Sequence, residues 1–364
     1  MTEVVRTEVK RVGLTAIRDE LRALWSSEAL GEKPIVQARS HNLVVYTDAS
    51  RHNVDDLVEH IIRVNSLRPG RVLLVEYDPT ADEKLDAWAT IYCQLQKDHQ
   101  VCSEMVVMQV GGVLRSEIHS TVISLLAPDL PVILWWMQLP DVEDHLYENV
   151  VAEADRLLID SDFFPNIAED FVTLASISSP PVGDLAWARL TPWRRRLAAF
   201  WDFPQLRESL EHIHSLEIQH AARKPHADSN RALLLVGWLA ERLGWRLAEA
   251  SALEAGGYEI TYRHNGESIR VQLEEIVPDG VPPGELAAIS LQAGHGENLE
   301  RPHLRFDPEH GCIEQKIGDV AQRDWAFRPV EPAEALAEEL DYNHDAAFQA
   351  ALNQAVAIVR MAHR

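Results

Sequence analysis

Short apolar runs rich in β-branched residues recur through the first half of this 364-residue chain, with helix-like segments between them. Each run is bounded by Pro, Gly or Asp, as expected for strands whose two faces are both buried. The runs occupy residues 43–46, 72–75, 105–110, 132–136 and 157–159. Because strands that alternate with helices form parallel sheets, the pattern predicts a mostly parallel, Rossmann-like α/β domain over residues 1–175.

Helix signals precede and separate these runs. An amphipathic pattern over residues 14–25 predicts a helix before the first strand, and a second apolar face runs over residues 114–125. Asn53 is a favourable N-cap, and Asp55 and Asp56 follow it in the first turn, where the helix dipole stabilises negative charge. The first domain is therefore expected to carry helices on its sheet.

Residues 88–96 fit both a helix and a strand, and we favour a strand that turns through residues 97–100 into the next one. In that hairpin Cys93 is expected to lie opposite Glu104, with Cys102 diagonal to Cys93 at a Cα separation of about 7–8 Å. This separation is slightly too long for an unstrained disulfide.

The second half of the chain begins with a linker and a helical stretch. Residues 176–184 are rich in Ser, Pro and Gly, and residues 187–222 carry apolar side chains at helical spacing. Together they predict a linker and helical connector over residues 176–225. A further helix is expected to start at Ser229 as its N-cap and to end at Gly244.

Alternating apolar residues follow this helix, and the turns between them contain GG, NG, DG and HG pairs, which are typical of hairpins. The alternating segments are residues 245–252, 257–263, 268–276, 286–292, 302–306 and 311–317. Two helices, at about residues 332–340 and 344–361, are expected to close the chain. The pattern predicts an α+β domain over residues 226–364, built on an antiparallel sheet with helices.

The charge of the chain excludes some classes of function. The 34 basic and 57 acidic residues leave a net charge of −23, which would repel a nucleic-acid backbone. Residues 254–345 alone carry 7 basic and 20 acidic residues. The apolar runs are far shorter than the roughly 18 residues that cross a bilayer, and the N-terminus lacks the apolar region of a signal peptide. We therefore expect a cytoplasmic protein that binds neither nucleic acid nor membrane.

Signatures of catalysis and of metal or cofactor binding are missing from the sequence. It contains no phosphate-binding G-x-x-x-x-G-K-[ST], no G-x-S-x-G nucleophile elbow and no H-E-x-x-H zinc motif. His212, His214 and His220 form the densest histidine cluster, but on a predicted helix His212 and His214 point about 200° apart and cannot share one ion. We therefore predict no catalytic residue, no metal and no cofactor.

Several residues remain as candidates for binding a partner. Trp135 and Trp136 are adjacent on a predicted strand and therefore face opposite sides of the sheet, so one of them is a candidate interface anchor. Trp193, Arg194 and Arg195 begin a tryptophan and arginine cluster that continues with one more arginine, and this composition is typical of interface hot spots. An arginine run that pairs with local carboxylates on a solvated helix is the alternative.

Two buried polar candidates lie on one predicted strand. Glu104 must be paired or neutral if it is buried, and we favour an ion pair with Arg39 or Arg71 over a functional carboxylate. Cys102 could be a redox-active thiol, although a small buried apolar side chain is favoured for it.

Six segments together resemble the OpcA family, the glucose-6-phosphate dehydrogenase assembly proteins of cyanobacteria and actinobacteria. They are ARSHNLVVY (38–46), LRPGRVLLV (67–75), VCSEMV (101–106), APDLPVILWW (127–136), ARLTPWRRRLAAFWD (188–202) and SNRALLLVGWLAERLGW (229–245). The resemblance covers nearly the whole chain, and its specific elements are CSE, DLPVILWW and LTPWR in this order and spacing.

The resemblance implies a non-enzymatic role in the oxidative pentose phosphate pathway. Members of this family bind the glucose-6-phosphate dehydrogenase oligomer and shift it towards an active state of higher affinity, and redox control has been linked to the family in cyanobacteria. Of the cysteines in this chain, only Cys102 lies in a family-like motif.

Two other hypotheses for the function of the chain remain open. One is a sugar-phosphate or nucleotide-binding enzyme that uses Arg39, His41 and Asn42 near the first strand. The other is a general scaffold for several enzymes.

Overall fold

The computed structural model describes residues 4–7, 10–12, 16–26, 33–49, 53–78, 80–83, 85–112, 118–141, 143–202, 204–222, 230–254, 256–295, 298–318 and 321–363. Two compact units divide the chain. The first unit contains residues 1–160, 178–183 and 332–344, and the second contains residues 161–177, 184–331 and 345–364. The three domain ranges expected from the sequence, 1–175, 176–225 and 226–364, stay a prediction.

The elements up to residue 176 follow one another in the order expected of an α/β sheet. They are β1 (Val4–Arg6), β2 (Lys10–Val12), α1 (Ile17–Trp25), β3 (Ile35–Gln37), β4 (Asn42–Asp48), α2 (Val54–Leu67), β5 (Arg71–Asp78), β6 (Leu85–Leu95), β7 (Gln100–Gly111), α3 (Ile118–Leu125), β8 (Val132–Trp136), α4 (His145–Val151), β9 (Arg156–Ile159), a 3₁₀ turn (Ser161–Phe163) and α5 (Ile167–Ser176).

The remaining elements are rich in strands. They are β10 (Val182–Asp184), α6 (Leu185–Arg189), α7 (Thr191–Ala198), a 3₁₀ turn (Ala199–Asp202), α8 (Pro204–Arg207), a 3₁₀ turn (Glu208–His212), β11 (Ile213–Ala221), α9 (Asn230–Arg242), β12 (Arg246–Ala252), β13 (Gly257–His264), β14 (Glu267–Ile276), β15 (Leu286–His295), β16 (Asn298–Glu300), β17 (Pro302–Asp307), β18 (Cys312–Ile317), β19 (Ala321–Ala326), α10 (Pro332–Glu339) and α11 (Ala346–Ala362).

The first sheet runs β1-β6-β7-β5-β4-β8-β9-β10, with β2 beside β6 and β3 beside β7. The ladders that join β7, β5, β4, β8 and β9 are parallel, and β6 is antiparallel to β7. The central strands are apolar on both faces, and Val45 and Leu74 are completely buried. The prediction of a mostly parallel α/β sheet is confirmed.

Helix α2 of the first unit begins where its sequence predicts. Asn53 caps α2, and its side chain accepts a hydrogen bond of 2.8 Å from the backbone N–H of Asp55. The predicted lead-in helix is α1, and α3 ends at Leu125, as the apolar pattern indicated. Leu14, Leu114 and the expected N-cap Ser229 lie outside the described residues.

The register of the β6–β7 hairpin differs from the one expected. The strand assignment is confirmed, but Cys93 lies opposite Cys102, and Glu104 lies opposite Ile91. The backbone N–H of Gln96 donates to the carbonyl of His99 and closes a loop one residue earlier than expected. The expectation that the cysteines lie too far apart is therefore wrong, because Cys93 and Cys102 are a directly paired disulfide.

The second sheet runs β12-β13-β14-β11-β15-β17-β18-β19, with β16 beside β15. Its described ladders are antiparallel except the one between β11 and β14, which is parallel, so the predicted antiparallel sheet is a mixed one. Helices α9 and α11 pack together, and Gly237 of α9 provides the close approach because a Cβ there would meet the carbonyl of Ala351. The predicted fold class, α/β plus α+β, is confirmed.

The helical connector expected over residues 187–222 is only partly helical. Residues 213–221 form β11, which pairs with β14 on one side and with β15 on the other. Leu216 and Ile218 alternate into the core, which is the pattern of a strand and not of a helix. Among the described helices, none is long and apolar enough to cross a membrane.

Candidate partner-binding site

The adjacent tryptophans of β8 lie at the carboxyl end of the strand beside β4, where the strand order of the sheet reverses direction. Trp135 is 3% exposed and lies beside His60 of α2, with ring centroids 6.3 Å apart. Trp136 is 4% exposed and packs against Tyr46 at 5.2 Å and Tyr147 at 5.1 Å. The two side chains face opposite sides, as expected, and each packs in the interior. Whether either contacts a partner stays a prediction.

This end of the sheet is where doubly wound folds bind nucleotides, because the loops on the two sides separate there. In this chain aromatic rings from β4, β8 and α4 pack together at that point. The segment between Tyr46 and Asn53 contains no glycine, so it lacks the residues that let a backbone approach a pyrophosphate. The local chemistry therefore does not favour a dinucleotide.

The residues proposed for a sugar-phosphate site have other contacts. The guanidinium of Arg39 lies 2.7 Å from Glu104, and Asn42 donates to the carbonyl of Ala127 and accepts from its backbone N–H. His41 is 4% exposed, and burial lowers its pKa to about 4, which keeps the ring neutral. The enzyme hypothesis built on these three residues is therefore not supported.

Glu104 is a buried carboxylate that is fully paired. Its Oε1 accepts from Arg71 at 2.6 Å and faces Arg39 at 2.7 Å, while Trp25 of α1 donates its indole N–H to Oε2 at 2.6 Å. The side chain is 1% exposed, so its charge requires these partners. The prediction of an ion pair with Arg39 or Arg71 is confirmed, and both form.

Cys102 is completely buried and bonded to Cys93. Leu24 and Trp25 of α1 pack against the same cluster, which also contains Ile91. The sequence pattern predicted both strands but not this pairing, because the pairing depends on the register of the hairpin. A redox role for Cys102 stays a prediction.

Trp193 anchors α7 to a buried network of charges in the second unit. The tryptophan is 0% exposed, and its indole N–H donates to Glu285 Oε1 at 2.9 Å. Arg231 donates to the other oxygen of Glu285 at 2.9 Å and also pairs with Asp162, which accepts from Arg189 at 3.0 Å. Burial alone would lower the pKa of Arg231, but the charges of Asp162 and Glu285 raise it above its usual range.

Sequence reasoning did not identify this network as a unit. The sequence feature that points to the network is Arg231, which lies in the first turn of the largely apolar helix α9 and precedes a run of buried leucines. A buried arginine requires carboxylates, and Asp162 and Glu285 supply them from distant parts of the sequence. Trp193 therefore belongs to the core that holds α7 in place.

The three arginines of α7 have different surroundings. The guanidinium of Arg194 lies 3.5 Å from the ring centroid of Trp187 and donates to Thr191 Oγ1 at 2.7 Å. Arg195 is exposed. Arg196 is half-buried, with its guanidinium 3.9 Å from the ring centroid of Trp325. Helical spacing explains the difference. Trp193 and Leu197 face the core, and Arg195, two residues from each, lies on the opposite side of α7.

The histidine cluster is not helical. His212 ends a 3₁₀ turn, and His214 and His220 belong to β11, so the argument from helical angles was wrong. Burial lowers the pKa of His220 to about 4, and His214 bonds the carbonyl of Gly294 at 2.7 Å. Within the described part of the chain, no three His, Cys, Asp or Glu residues are placed to hold a metal ion.

A concavity of about 670 Å³ lies on the polar face of the second sheet, within the size range of small-molecule sites. Glu217, Glu249 and Glu259 line it together with a single guanidinium, that of Arg270. Three carboxylates against one cation disfavour an anionic ligand such as a sugar phosphate.

Comparisons with known proteins match nearly the whole second half of the chain and much of the first. A family model described as the N-terminal domain of a glucose-6-phosphate dehydrogenase subunit matches residues 62–176, and one described as the C-terminal domain matches residues 180–352.

Among solved structures, the fold is similar to that of an NAD binding oxidoreductase from Klebsiella pneumoniae. The TM-score is 0.51 and the identity 9%, covering 90% of this chain and 96% of that chain. At this identity the likeness concerns the fold alone.

Two cyanobacterial relatives bear the name OxPP cycle protein OpcA. The protein of Synechocystis sp. is 32% identical over 189 residues, which are 50% of this chain and 39% of the relative. The protein of Nostoc punctiforme is 26% identical over 314 residues, which are 81% of this chain and 66% of the relative. The matched regions thus span less than two thirds of each relative. Because the two family models together match well over half of its residues, the chain belongs to the OpcA family.

Proposed function

We propose that this chain binds the glucose-6-phosphate dehydrogenase oligomer and promotes its assembly and allosteric activation in the oxidative pentose phosphate pathway. The observation that carries the proposal is the match of both dehydrogenase-subunit domain models, over residues 62–176 and 180–352. We propose the cytoplasm as its location, because the dehydrogenase substrate and NADP are soluble metabolites.

We also propose that the chain itself catalyses no reaction. Support comes from the carboxyl end of β4 and β8, where Tyr46, Trp136 and Tyr147 pack at the position that doubly wound enzymes use for nucleotides. Further support comes from Arg39 and Asn42, whose polar groups are engaged by other parts of the protein. A doubly wound fold without a functional site is a scaffold on which a binding surface can be built.

An activator of this kind acts through differential affinity. It must bind the active conformation of the dehydrogenase more tightly than the inactive one, and reciprocal coupling then raises the affinity of the enzyme for its substrate. Coupling free energies of about 1–3 kcal/mol are typical and correspond to roughly 5- to 150-fold changes in affinity.

The proposed contact residues have different roles. Trp135, Trp136 and Trp193 are at most 4% exposed, so we propose that each of them stabilises the partner-binding surface of its own unit by packing in the interior. Arg195 is exposed and is the member of the predicted set that can reach a partner directly. Arg194 is held on Trp187 and positions the neighbouring turn of α7.

Titration of the purified chain into the cognate dehydrogenase tests the proposal. At low glucose-6-phosphate, NADPH production should rise with added chain, and the two proteins should co-elute in gel filtration. The chain alone, assayed with the same substrates, should produce no NADPH. An unchanged substrate dependence without co-elution would contradict the binding role, and turnover by the chain alone would contradict the non-enzymatic one.

A further inference from the structure

We propose that Arg195, Arg196 and Trp325 form a docking site for a carboxylate-rich segment of a partner protein. We call these three residues the arginine patch. Its assignment to the dehydrogenase rests on the proposed function, whereas its preference for carboxylates rests on its own geometry. Arg195 and Arg196 lie on α7, and Trp325 lies on β19.

Within the described part of the chain, the two arginines of the patch have no counter-charge. Neither forms a hydrogen bond or an ion pair with any residue within the described ranges. This is unexpected in a chain with 57 acidic and 34 basic residues, where other surface arginines find carboxylates. Arg68 pairs with Asp341, and Arg305 pairs with Glu314 at 3.0 Å. The positive charge of the patch is therefore available to a ligand from outside the chain.

Arg196 is held in an orientation that suits a carboxylate. Its guanidinium lies 3.9 Å from the centroid of the Trp325 ring, and the indole N–H of Trp325 donates to Gln315 Oε1 at 2.8 Å. Gln315 is 2% exposed, so the ring is fixed from the interior. A guanidinium that stacks by its face keeps its N–H groups in the plane of the fork, where they match the two oxygens of a carboxylate.

The neighbouring charges favour an anionic occupant. The pKa of Arg196 is lowered by partial burial and then by the positive charge of Arg195. An anion between the two guanidinium groups would relieve this repulsion. Arg194 does not take part, because its guanidinium lies on Trp187 and donates to Thr191 and to the carbonyl of Trp187.

The occupant is an acidic protein segment and not a nucleic acid. A nucleic acid would be repelled by the net charge of −23 that the whole chain carries and would lose the counterion release that drives its binding. Two arginines beside a half-buried tryptophan instead have the composition of a protein hot spot, in which a planar cation binds carboxylates next to an apolar surface. An Asp- or Glu-rich loop or helix end fits this description.

A pair of double variants with equal charge tests the patch. Arg195→Gln with Arg196→Gln removes its two charges, and the control, Arg63→Gln with Arg242→Gln, removes two exposed arginines from α2 and α9. Dissociation constants are measured for the cognate dehydrogenase and for a labelled hexaglutamate peptide at low and high salt, with a hexaglutamine peptide as the neutral reference. Circular dichroism and thermal melting confirm that each variant is folded.

The patch variant should bind both the dehydrogenase and hexaglutamate about tenfold or more weakly than the control, with a smaller dependence on salt. If the wild-type chain binds the dehydrogenase and the patch variant binds it equally well, the docking site is wrong while the proposed function stands. If the wild-type chain does not bind the dehydrogenase, the proposed function fails. In that case the hexaglutamate measurement alone tests whether the patch binds carboxylates. Equal hexaglutamate binding by the wild type and the patch variant would overturn the proposed docking site.

Discussion

Cys93 lies directly opposite Cys102 on neighbouring strands of the first sheet, and their sulfur atoms form a disulfide beneath α1. The two Cα atoms are 4.0 Å apart, and both side chains are at most 1% exposed. The bond closes a loop whose ends are nine residues apart in sequence. It therefore restricts the unfolded chain and links the two strands of the hairpin, and Leu24 and Trp25 pack against the cluster that contains it.

Removing this bond should lower the free energy of unfolding. Replacing both cysteines, Cys93→Ala with Cys102→Ala, should cost about 2–3 kcal/mol, because a short closed loop removes that much conformational freedom from the unfolded chain. Urea denaturation with and without dithiothreitol measures the effect. Reductant should destabilise the wild type and leave the variant unchanged.

The control for this prediction is the remaining thiol. Cys312 is the free cysteine among the described residues, so Cys312→Ala should retain the response to reductant. Thiol titration of the denatured, unreduced wild type should find one reactive group per chain. Three reactive thiols would contradict the disulfide.

The cysteine pairing shows where sequence reasoning stops in the first sheet. Apolar periodicity predicted β6 and β7, since burial of alternate residues leaves a readable pattern. It could not set their register. The turn contains no Gly to fix its length, and moving the turn by one residue along the chain leaves every side chain on the same face of the sheet. The bond between Gln96 and His99 sets the turn, and β3 then pairs with the start of β7.

Two buried tryptophans should respond differently to the same substitution. The indole N–H of Trp193 donates to Glu285, whereas that of Trp135 has no hydrogen-bond partner among the residues described. Trp193→Phe should therefore lower the free energy of unfolding by about 1–3 kcal/mol more than Trp135→Phe, because only the first removes a hydrogen bond to a buried carboxylate, which then keeps the backbone N–H of Leu286 as the donor to Oε1. Chemical denaturation of the two variants gives the comparison. Equal losses would mean that the Glu285 contact contributes nothing.

The buried network should be far more sensitive than a surface pair. Asp162 faces Arg189 and Arg231 with a side chain 4% exposed, whereas Asp19 faces Arg22 with a side chain 77% exposed. Asp162→Asn should cost about 3–5 kcal/mol, because it leaves buried arginine charge uncompensated. Asp19→Asn should cost at most about 1 kcal/mol. Comparable melting temperatures for the two variants would contradict this ranking.

The second unit was harder to predict, because its central strand and its buried charges depend on distant partners. Leu210, Ile213 and Leu216 fit a helix by spacing, and the alternation of Leu216 with Ile218 is too short to outweigh it. The strand β11 forms because β14 and β15 supply hydrogen bonds on both sides from residues more than forty positions away. Likewise the sequence revealed the arginines of α7, but only the folded chain reveals that Arg195 and Arg196 have no carboxylate partner among the described residues.

Two buried histidines should make the protein sensitive to mild acid. Burial lowers the pKa values of His41 and His220 to about 4, below the value near 6.5 expected in the unfolded chain. Between these values the unfolded chain binds more protons, so the free energy of unfolding falls as the pH falls from 6.5 to 4. The loss should reach about 3 kcal/mol per histidine at the acidic end.

Other groups also titrate in this range, so the informative quantity is the change in slope. The double variant His41→Gln with His220→Gln should lose less stability than the wild type between pH 6.5 and pH 4, as measured by urea denaturation in steps of half a pH unit. His310 provides the control, because its hydrogen bond to Asp307 and the charge of Asp307 raise its pKa. Its contribution is present in acid and disappears as the pH rises, so His310→Gln should not flatten the profile. A double variant that keeps the wild-type slope would show that neither buried ring resists protonation.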